Sequence, residues 1–317
     1  MDTLHIMYFA GFGLAGIGGI AAALRLFKGM EKARLFEGAF LVMGVLMHTL
    51  IGLLSLNDPL FLTLYLLVGL ASITLVARSF SEKLVVPSFW VTVVAVLLMI
   101  GYEGILWANL GRPPFQFLGE TFVWLSLITG SLLIITERLQ GIKGLGQFAG
   151  IVIIASLAFN AVWPDLQTKE LPPALQSAWF VPHVLVYLLG YGALTLAFVS
   201  AVGYLVAERT HSKRAAMLGD TSYKLVSLGF PFLTAGLVFG AFWGQTAWGN
   251  YWGWDPKENW ALVTWLVYVL YLHMRFIKNW NRSRAAWVLI AGVVVIFITY
   301  LAVNALPTAQ QSVHTYT

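Results

Sequence analysis

Between "GFGLAGIGGIAAALRL" near its start and "AAWVLIAGVVVIFITYLAV" near its end, the chain returns repeatedly to apolar runs of bilayer-spanning length. A transmembrane helix needs roughly 17–25 such residues. Ten stretches qualify, at about 5–27, 36–56, 58–78, 86–108, 119–136, 146–163, 180–207, 223–243, 258–277 and 285–306. Charged residues make up 10% of the 317, against roughly 25% in a soluble domain, and the mean hydropathy is +0.79. The expectation is an all-α polytopic membrane protein of about ten transmembrane helices. No hydrophilic stretch is long enough for a separate soluble domain. The first span has no basic residues ahead of it and no small-residue cleavage site, so it reads as a retained helix rather than a signal peptide.

Basic residues set the orientation. With ten spans, one set of connections holds Arg25, Lys28, Lys32, Arg34, Arg78, Lys83, Arg138 and Lys143. The same side continues with Arg209, Lys213, Arg214, Lys224, Arg275, Lys278, Arg282 and Arg284. The other side receives only Arg112, Lys169 and Lys257. The positive-inside rule then puts both termini outside the cytoplasm. A cytoplasm-facing basic rim against the lipid bilayer accounts for the net charge of +5 and the pI near 9.4. No nucleic-acid partner is required.

The outward connections carry more built structure than the inward ones. "NLGRPPFQFLGE" and "WPDLQTKELPPALQSAW" are long and irregular, and their paired prolines end helices. Function is expected on that face. The chain divides in this reading into N-terminal helices at 1–108 and a second domain at 109–317, with an external loop at about 243–259. There is no cysteine, so any thiol chemistry must use a partner's thiol.

Six histidines are the first chemistry-bearing candidates. His211 lies in the basic loop "ERTHSKR" and reads as a solvated surface residue; His5 sits at the outer end of the first span. His183 opens the seventh span on the outer side, and His314 lies in the outward tail "QSVHTYT". His48 and His273 fall inside the second and ninth spans, where an ionisable side chain is a functional-site hypothesis. A lone histidine on a bundle helix is more often a hydrogen-bonded packing residue than a ligand. Two of them bracketing an aromatic loop on one face raise the case for metal ligation, and haem iron accepts imidazole axially. His183, Tyr187 and Tyr191 share one side of a helix, where the tyrosines either orient a ligand or simply pack.

The loop "WGNYWGWDPKENW" then asks what it holds. Six of the thirteen tryptophans fall between Trp243 and Trp265. An interfacial belt would spread them over most helix ends on both faces. Tryptophans interleaved with Gly244, Gly249 and Gly253 suit a large planar ligand approached closely by rings and backbone. Within "DPKE", Asp255 reads as an N-cap, Pro256 as the first helical residue and Glu258 as the third, a capping box for the ninth span.

At these residues the sequence resembles a known family. "WGNYWGWDPKENWALVTWLVYVLYLHMR" is similar to the tryptophan-rich WWD signature of the cytochrome c assembly family, most closely its CcsA/ResC-type branch from System II cytochrome c synthases. "WFVPHVLVYLLGYGAL" and "YLAVNALPTAQQSVHTYT" resemble the segments that carry the family's two external haem-ligating histidines. "GRPPFQFLGETFVWLS" looks like a divergent form of its Gly-x-x-Pro…Glu-Ser stretch; the resemblance covers about residue 100 to the end.

The resemblance implies that His183 and His314 are axial ligands of an outward-facing haem b, with Trp248, Trp252, Trp254 and Asp255 as its platform. His273 matches a membrane-region histidine associated with haem passage, and His48 is its suggested partner. The implied function is haem delivery and attachment of haem vinyls to the two thiols of an apocytochrome CxxCH motif. The enzyme would be a holocytochrome c synthase (haem lyase) complex, this chain being one component; no catalytic side chain is identified. The alternative is a CcmC-like chaperone or exporter that presents haem without attaching it. A structural or regulatory relative from haem synthesis is a third class, which the intact loop and its flanking histidines disfavour. The final "VHTYT" departs from the family's "LHSYG"-like ending. With no large external domain here, a CcsB/ResB-type membrane partner is expected. The location implied is the cytoplasmic or a thylakoid-type membrane, with the functional face extracytoplasmic.

Overall fold

The structure, a computed structural model, describes residues 85–140, 171–211, 213–277, 282–305 and 312–314. The expected spans at 5–27, 36–56, 58–78 and 146–163 lie outside these residues, as does His48. Every regular element among the described residues is helical. In chain order these are α1 (Val85–Leu110), α2 (Leu118–Gln140), α3 (Phe180–Arg209), α4 (Ala215–Trp248), α5 (Pro256–Phe276) and α6 (Arg282–Tyr300). Short 3-10 turns occupy Pro173–Gln176 and Ala302–Ala305. Four helical stretches are long and apolar enough to cross a membrane: Leu118–Thr136, Phe180–Arg209, Ala215–Trp248 and Arg282–Tyr300. The described part is therefore that of a multi-pass helical membrane protein. The chain divides into two compact units after Lys169.

In the first unit, α1 and α2 form a hairpin. Gly111, at φ +64°, turns the chain out of α1. Arg112 follows, and its guanidinium reaches both oxygens of Glu120 at 2.8 and 3.2 Å. Glu120 is 0% exposed. Its carboxylate also accepts the backbone N–H groups of Gln116 (2.8 Å) and Phe117 (3.2 Å). An anion in the first turn of α2 complements the helix dipole, so this buried charge is neutralised from three directions.

In the second unit, α3 and α4 pack along their length because glycines remove the side chains between them. A Cβ on Gly229 would lie 3.1 Å from the Gly190 carbonyl oxygen and 3.1 Å from the Ala193 Cβ. Such close approach through small residues is how helices associate in lipid, where no hydrophobic gain separates one apolar face from another. α6 lies against α3 and α5. Polar side chains lock the contacts: Thr264 and Thr299 share a hydrogen bond of 2.9 Å, and the Trp265 indole donates to Thr234 at 2.9 Å.

Helix α4 runs past the expected span of about 223–243 at both ends. It ends at Trp248, which therefore belongs to the helix and not to the loop expected from 243, and it begins at Ala215. Its 34 residues make a rod about 51 Å long, beyond the roughly 30 Å hydrocarbon core. The turns added at its start are polar and are held by charged partners. Asp220 meets Arg275 at 3.4 Å and Arg282 at 3.8 Å, and Arg275 lies over the Tyr223 ring. Nearby, Glu208 accepts hydrogen bonds from Tyr204 at 2.6 Å and from Ser283. Hydropathy alone locates only the apolar part of such a helix.

Candidate functional site

The Trp-rich loop is fixed at both ends by local rules. Gly249 closes α4 at φ +79°, its N–H returning to the Gln245 carbonyl at 3.2 Å. At the far end, Asp255 accepts the Lys257 N–H at 2.8 Å and Glu258 accepts the Asp255 N–H at 3.1 Å, completing the expected capping box. Glu258 also holds the Gly253 N–H at 2.8 Å, and Asn259 donates to the Trp254 carbonyl at 3.0 Å. These bonds bracket Trp254, whose φ of +57° is a left-handed conformation unusual for a bulky residue. Strain of this kind persists only where the surroundings over-determine it.

Asp255 has a second role that the capping motif does not announce. Its Oδ2 accepts the Val313 N–H at 2.9 Å. Its Oδ1 accepts the Ser312 hydroxyl at 3.1 Å and meets the His314 Nδ1 at 2.9 Å. The carboxylate thus joins the start of α5 to the tail, and both Asp255 (6% exposed) and His314 (8%) are buried. Burial pushes the carboxyl up, but hydrogen bonds from His314, the Lys257 N–H and Ser312 hold it down at about 2. Burial lowers the Lys257 ammonium against an opposing pull from Asp255.

His183 sits in the first turn of α3, and its Nδ1 lies 2.9 Å from the Gly236 carbonyl oxygen on α4. A carbonyl only accepts, so this Nδ1 carries the hydrogen. The ring fits because α4 has no side chain at Gly240, where a Cβ would lie 2.7 Å from the His183 Cε1. At His314 the ionised Asp255 likewise assigns the hydrogen to Nδ1. Both imidazoles therefore present Nε2 as the free lone pair, and among the described residues neither Nε2 has a hydrogen-bond partner.

Trp243 is in ring contact with both histidines. Its ring centroid lies 5.3 Å from that of His183, 5.4 Å from His314 and 4.8 Å from Trp248. Trp248 is itself 4.6 Å from His314. Trp243 is 4% exposed; its indole N–H donates to the Ala174 carbonyl at 2.8 Å, and it packs with Leu175 and Phe180. The sequence reading counted Trp243 in the cluster but gave it no part. A role signal was present in the chain: Trp243 lies in the α4 register of Gly236 and Gly240, seven and three residues beyond them.

The structure thus brings together His183, His314, Trp248 and Asp255. Trp252 and Trp254 form a separate edge-on pair at 6.0 Å, with Trp254 68% exposed. Neither makes a ring contact with the histidines among the described residues. His273 is exposed near the other end of α5, roughly 25 Å along the helix from Pro256. Tyr187 and Tyr191 follow His183 in a ladder of ring contacts at 4.9 and 5.4 Å. A Cβ on Gly236 would meet Tyr187 at 2.7 Å, so that ring packs into the helix contact.

Two imidazoles, each oriented through Nδ1, are the donors a metal site uses when the acceptor of the second nitrogen is fixed. Among the described residues no group of three His, Cys, Asp or Glu side chains is close enough to hold a bare ion. Imidazole is also a donor that haem iron accepts axially.

Residues 59–309 match the family described as Cytochrome C assembly protein. Cytochrome c biogenesis protein CcsA of Chlamydomonas reinhardtii is 33% identical over 239 residues, covering 70% of this chain and 66% of the relative. The protein of that name from Guillardia theta is 33% identical over 257 residues, covering 71% of this chain and 83% of the relative. That of Synechococcus elongatus is 31% identical over 278 residues, covering 70% and 85%.

Proposed function

The chain belongs to the cytochrome c assembly protein family, and from that premise we propose that it binds haem at an extracytoplasmic site and delivers it for covalent attachment to apocytochrome c. A part in cytochrome c biogenesis, within a membrane, follows from the family. The finer reading is that His183 and His314 ligate the iron axially through Nε2. Trp243 and Trp248 form the wall beside the ligands, and Trp252 and Trp254 form an outer rim that meets the haem edge. The observation that carries this reading is the pairing of two Nδ1-anchored imidazoles on one tryptophan.

Attachment asks little acid–base chemistry of this chain. Each substrate thiol adds across a haem vinyl: sulfur bonds to the carbon beside the ring, and hydrogen ends on the terminal carbon, with no net oxidation. The protein's part is to hold one haem orientation and to exclude alternatives, which is catalysis by positioning. The wider arrangement proposed is ten spans with both termini outside the cytoplasm, helices at 1–108 preceding the haem-handling domain at 109–317. His273 and His48 take up haem deeper in the membrane, and a CcsB/ResB-type partner supplies the external domain. The membrane is the cytoplasmic one or its thylakoid-type equivalent.

The test is reconstitution in a host lacking its own cytochrome c assembly genes. The chain is expressed with a CxxCH-containing apocytochrome, with and without a CcsB-type partner, and covalent haem is scored. Covalent haem in the presence of the partner is expected. Haem bound but unattached under both conditions would instead make the protein a haem chaperone. Purified His183→Ala and His314→Ala variants should each lose or shift the haem absorption bands. A colourless wild type prepared with haem available removes the proposal.

A further inference from the structure

The two proposed ligands differ in what holds them, and we infer from this that Asp255 is a positioning residue that makes His314 the stronger donor of an inequivalent axial pair. The inference rests on the haem-ligation reading above. His183 gives its Nδ1–H to a neutral acceptor, the Gly236 carbonyl, at 2.9 Å. His314 gives its Nδ1–H to an anionic one, the Asp255 carboxylate, at the same 2.9 Å. At equal length, a charged acceptor polarises the N–H more strongly and raises the basicity of the other ring nitrogen.

The carboxylate is also well placed to do this. The Lys257 N–H fixes Oδ1 from the α5 side, and the Ser312 hydroxyl and Val313 N–H fix both oxygens from the tail. With little exposure to water, the Asp255 charge acts on His314 largely unscreened. Among the described residues no carboxylate faces His183, whose ring is enclosed by Gly236, Gly240, Tyr187 and Trp243. Iron held between the two would see one carboxylate-backed imidazole and one carbonyl-backed imidazole. The stronger donor favours the ferric state, so Asp255 sets the reduction potential of the bound haem as well as the place of its ligand.

Asp255→Asn removes the charge while keeping an N-cap as good as aspartate and an amide oxygen that accepts Nδ1–H, at the cost of the Val313 N–H bond to Oδ2. The expected result is retained haem with two-imidazole absorption and a ferric preference about tenfold weaker, a rise of about 59 mV for one electron. Ser312→Ala, which keeps the charge and removes one of the bonds that fix it, should shift the potential by less than Asp255→Asn. An independent readout is the iron–histidine stretching frequency of the ferrous single-ligand forms. His183→Ala, which retains His314, should show the higher frequency, and His314→Ala the lower. Equal frequencies, or an unchanged potential in haem-loaded Asp255→Asn, overturn the inference while leaving haem ligation standing. A wild type that binds no haem removes both.

Discussion

Gly240→Ala adds one methyl group to α4, far from any motif of the loop, and should nevertheless uncouple His183 from haem. The added Cβ would lie 2.7 Å from the His183 Cε1 and 2.9 Å from its Nδ1. Ordinary contact begins near 3.4 Å, so the ring must retreat by about 0.7 Å or the helices must part. Parting is resisted further along, where Gly190 and Gly229 already bring the two backbones together. The ring is therefore what moves, and it leaves the Gly236 carbonyl. Overpacking of this kind costs about 1–3 kcal/mol and the lost hydrogen bond about 1 kcal/mol. Replacing a helical glycine by alanine returns about 1 kcal/mol, leaving a net destabilisation of about 1–3 kcal/mol. A displacement near 0.7 Å is large against an Fe–N bond of about 2 Å, so six-coordinate low-spin absorption should give way to a high-spin component. Gly203→Ala is the control on the same helix pair. Its Cβ would meet only the Leu218 side chain at 3.4 Å, so haem binding should be unchanged. Haem titration and absorption spectra of the purified variants decide the matter. A Gly240→Ala protein with wild-type affinity and a fully low-spin spectrum would refute the reasoning.

Trp243→Phe should lose the bond to the Ala174 carbonyl, costing about 1 kcal/mol, and keep most haem binding. Trp243→Ala should cost about 3–5 kcal/mol and abolish binding by removing the wall both histidines rest on; thermal unfolding and haem titration separate the two. Arg112→Ala leaves Glu120 buried with only two backbone donors and should cost about 3 kcal/mol, with partial recovery in the Arg112→Ala, Glu120→Gln double variant. Because the Asp255 carboxyl is held at about 2, below its ordinary 3.8, its grip on the tail is complete above about pH 4 and is lost as pH falls through about 2. The chain has no cysteine, so Val313→Cys, at an exposed side chain, accepts a single spin label. Its spectrum should stay immobilised at pH 5 and sharpen only in strong acid, whereas release at pH 5 would contradict the assignment.

What was legible in the sequence was what is local or periodic. The capping box spans four consecutive residues, Asp255 to Glu258, and its geometry is set by backbone rules that any chain obeys. Six of the ten expected spans coincide with helices, because apolar run length is itself the physical signal. The start of α4 escaped that signal, since Asp220 and Lys224 read as loop until Arg275 and Arg282 are brought alongside. His183 and His314 could be placed on one face by counting spans, but not placed against a shared ring. That depends on helix register, which glycine spacing encodes only once α3 and α4 are known to be neighbours. The bond from Asp255 to His314 joins residues 59 apart, and its donors are a tail with no pattern of its own. The tyrosines after His183 were open between orientation and packing, and the fit of Tyr187 against Gly236 is packing.

Helix α4 carries Trp243 and Trp248 at one end and Asp220 at the other, with Pro231 between them. Proline removes a backbone hydrogen bond and gives a helix a preferred place to bend. Trp248 stands about 25 Å beyond that place by helical rise. Mechanically this is a lever with a joint: a change of about 10° at Pro231 would sweep the tryptophan end through roughly 4 Å, on the scale of a porphyrin's thickness. The ion pairs joining Asp220 to Arg275 and Arg282 sit on the short arm of that lever, at the end opposite the aromatic loop.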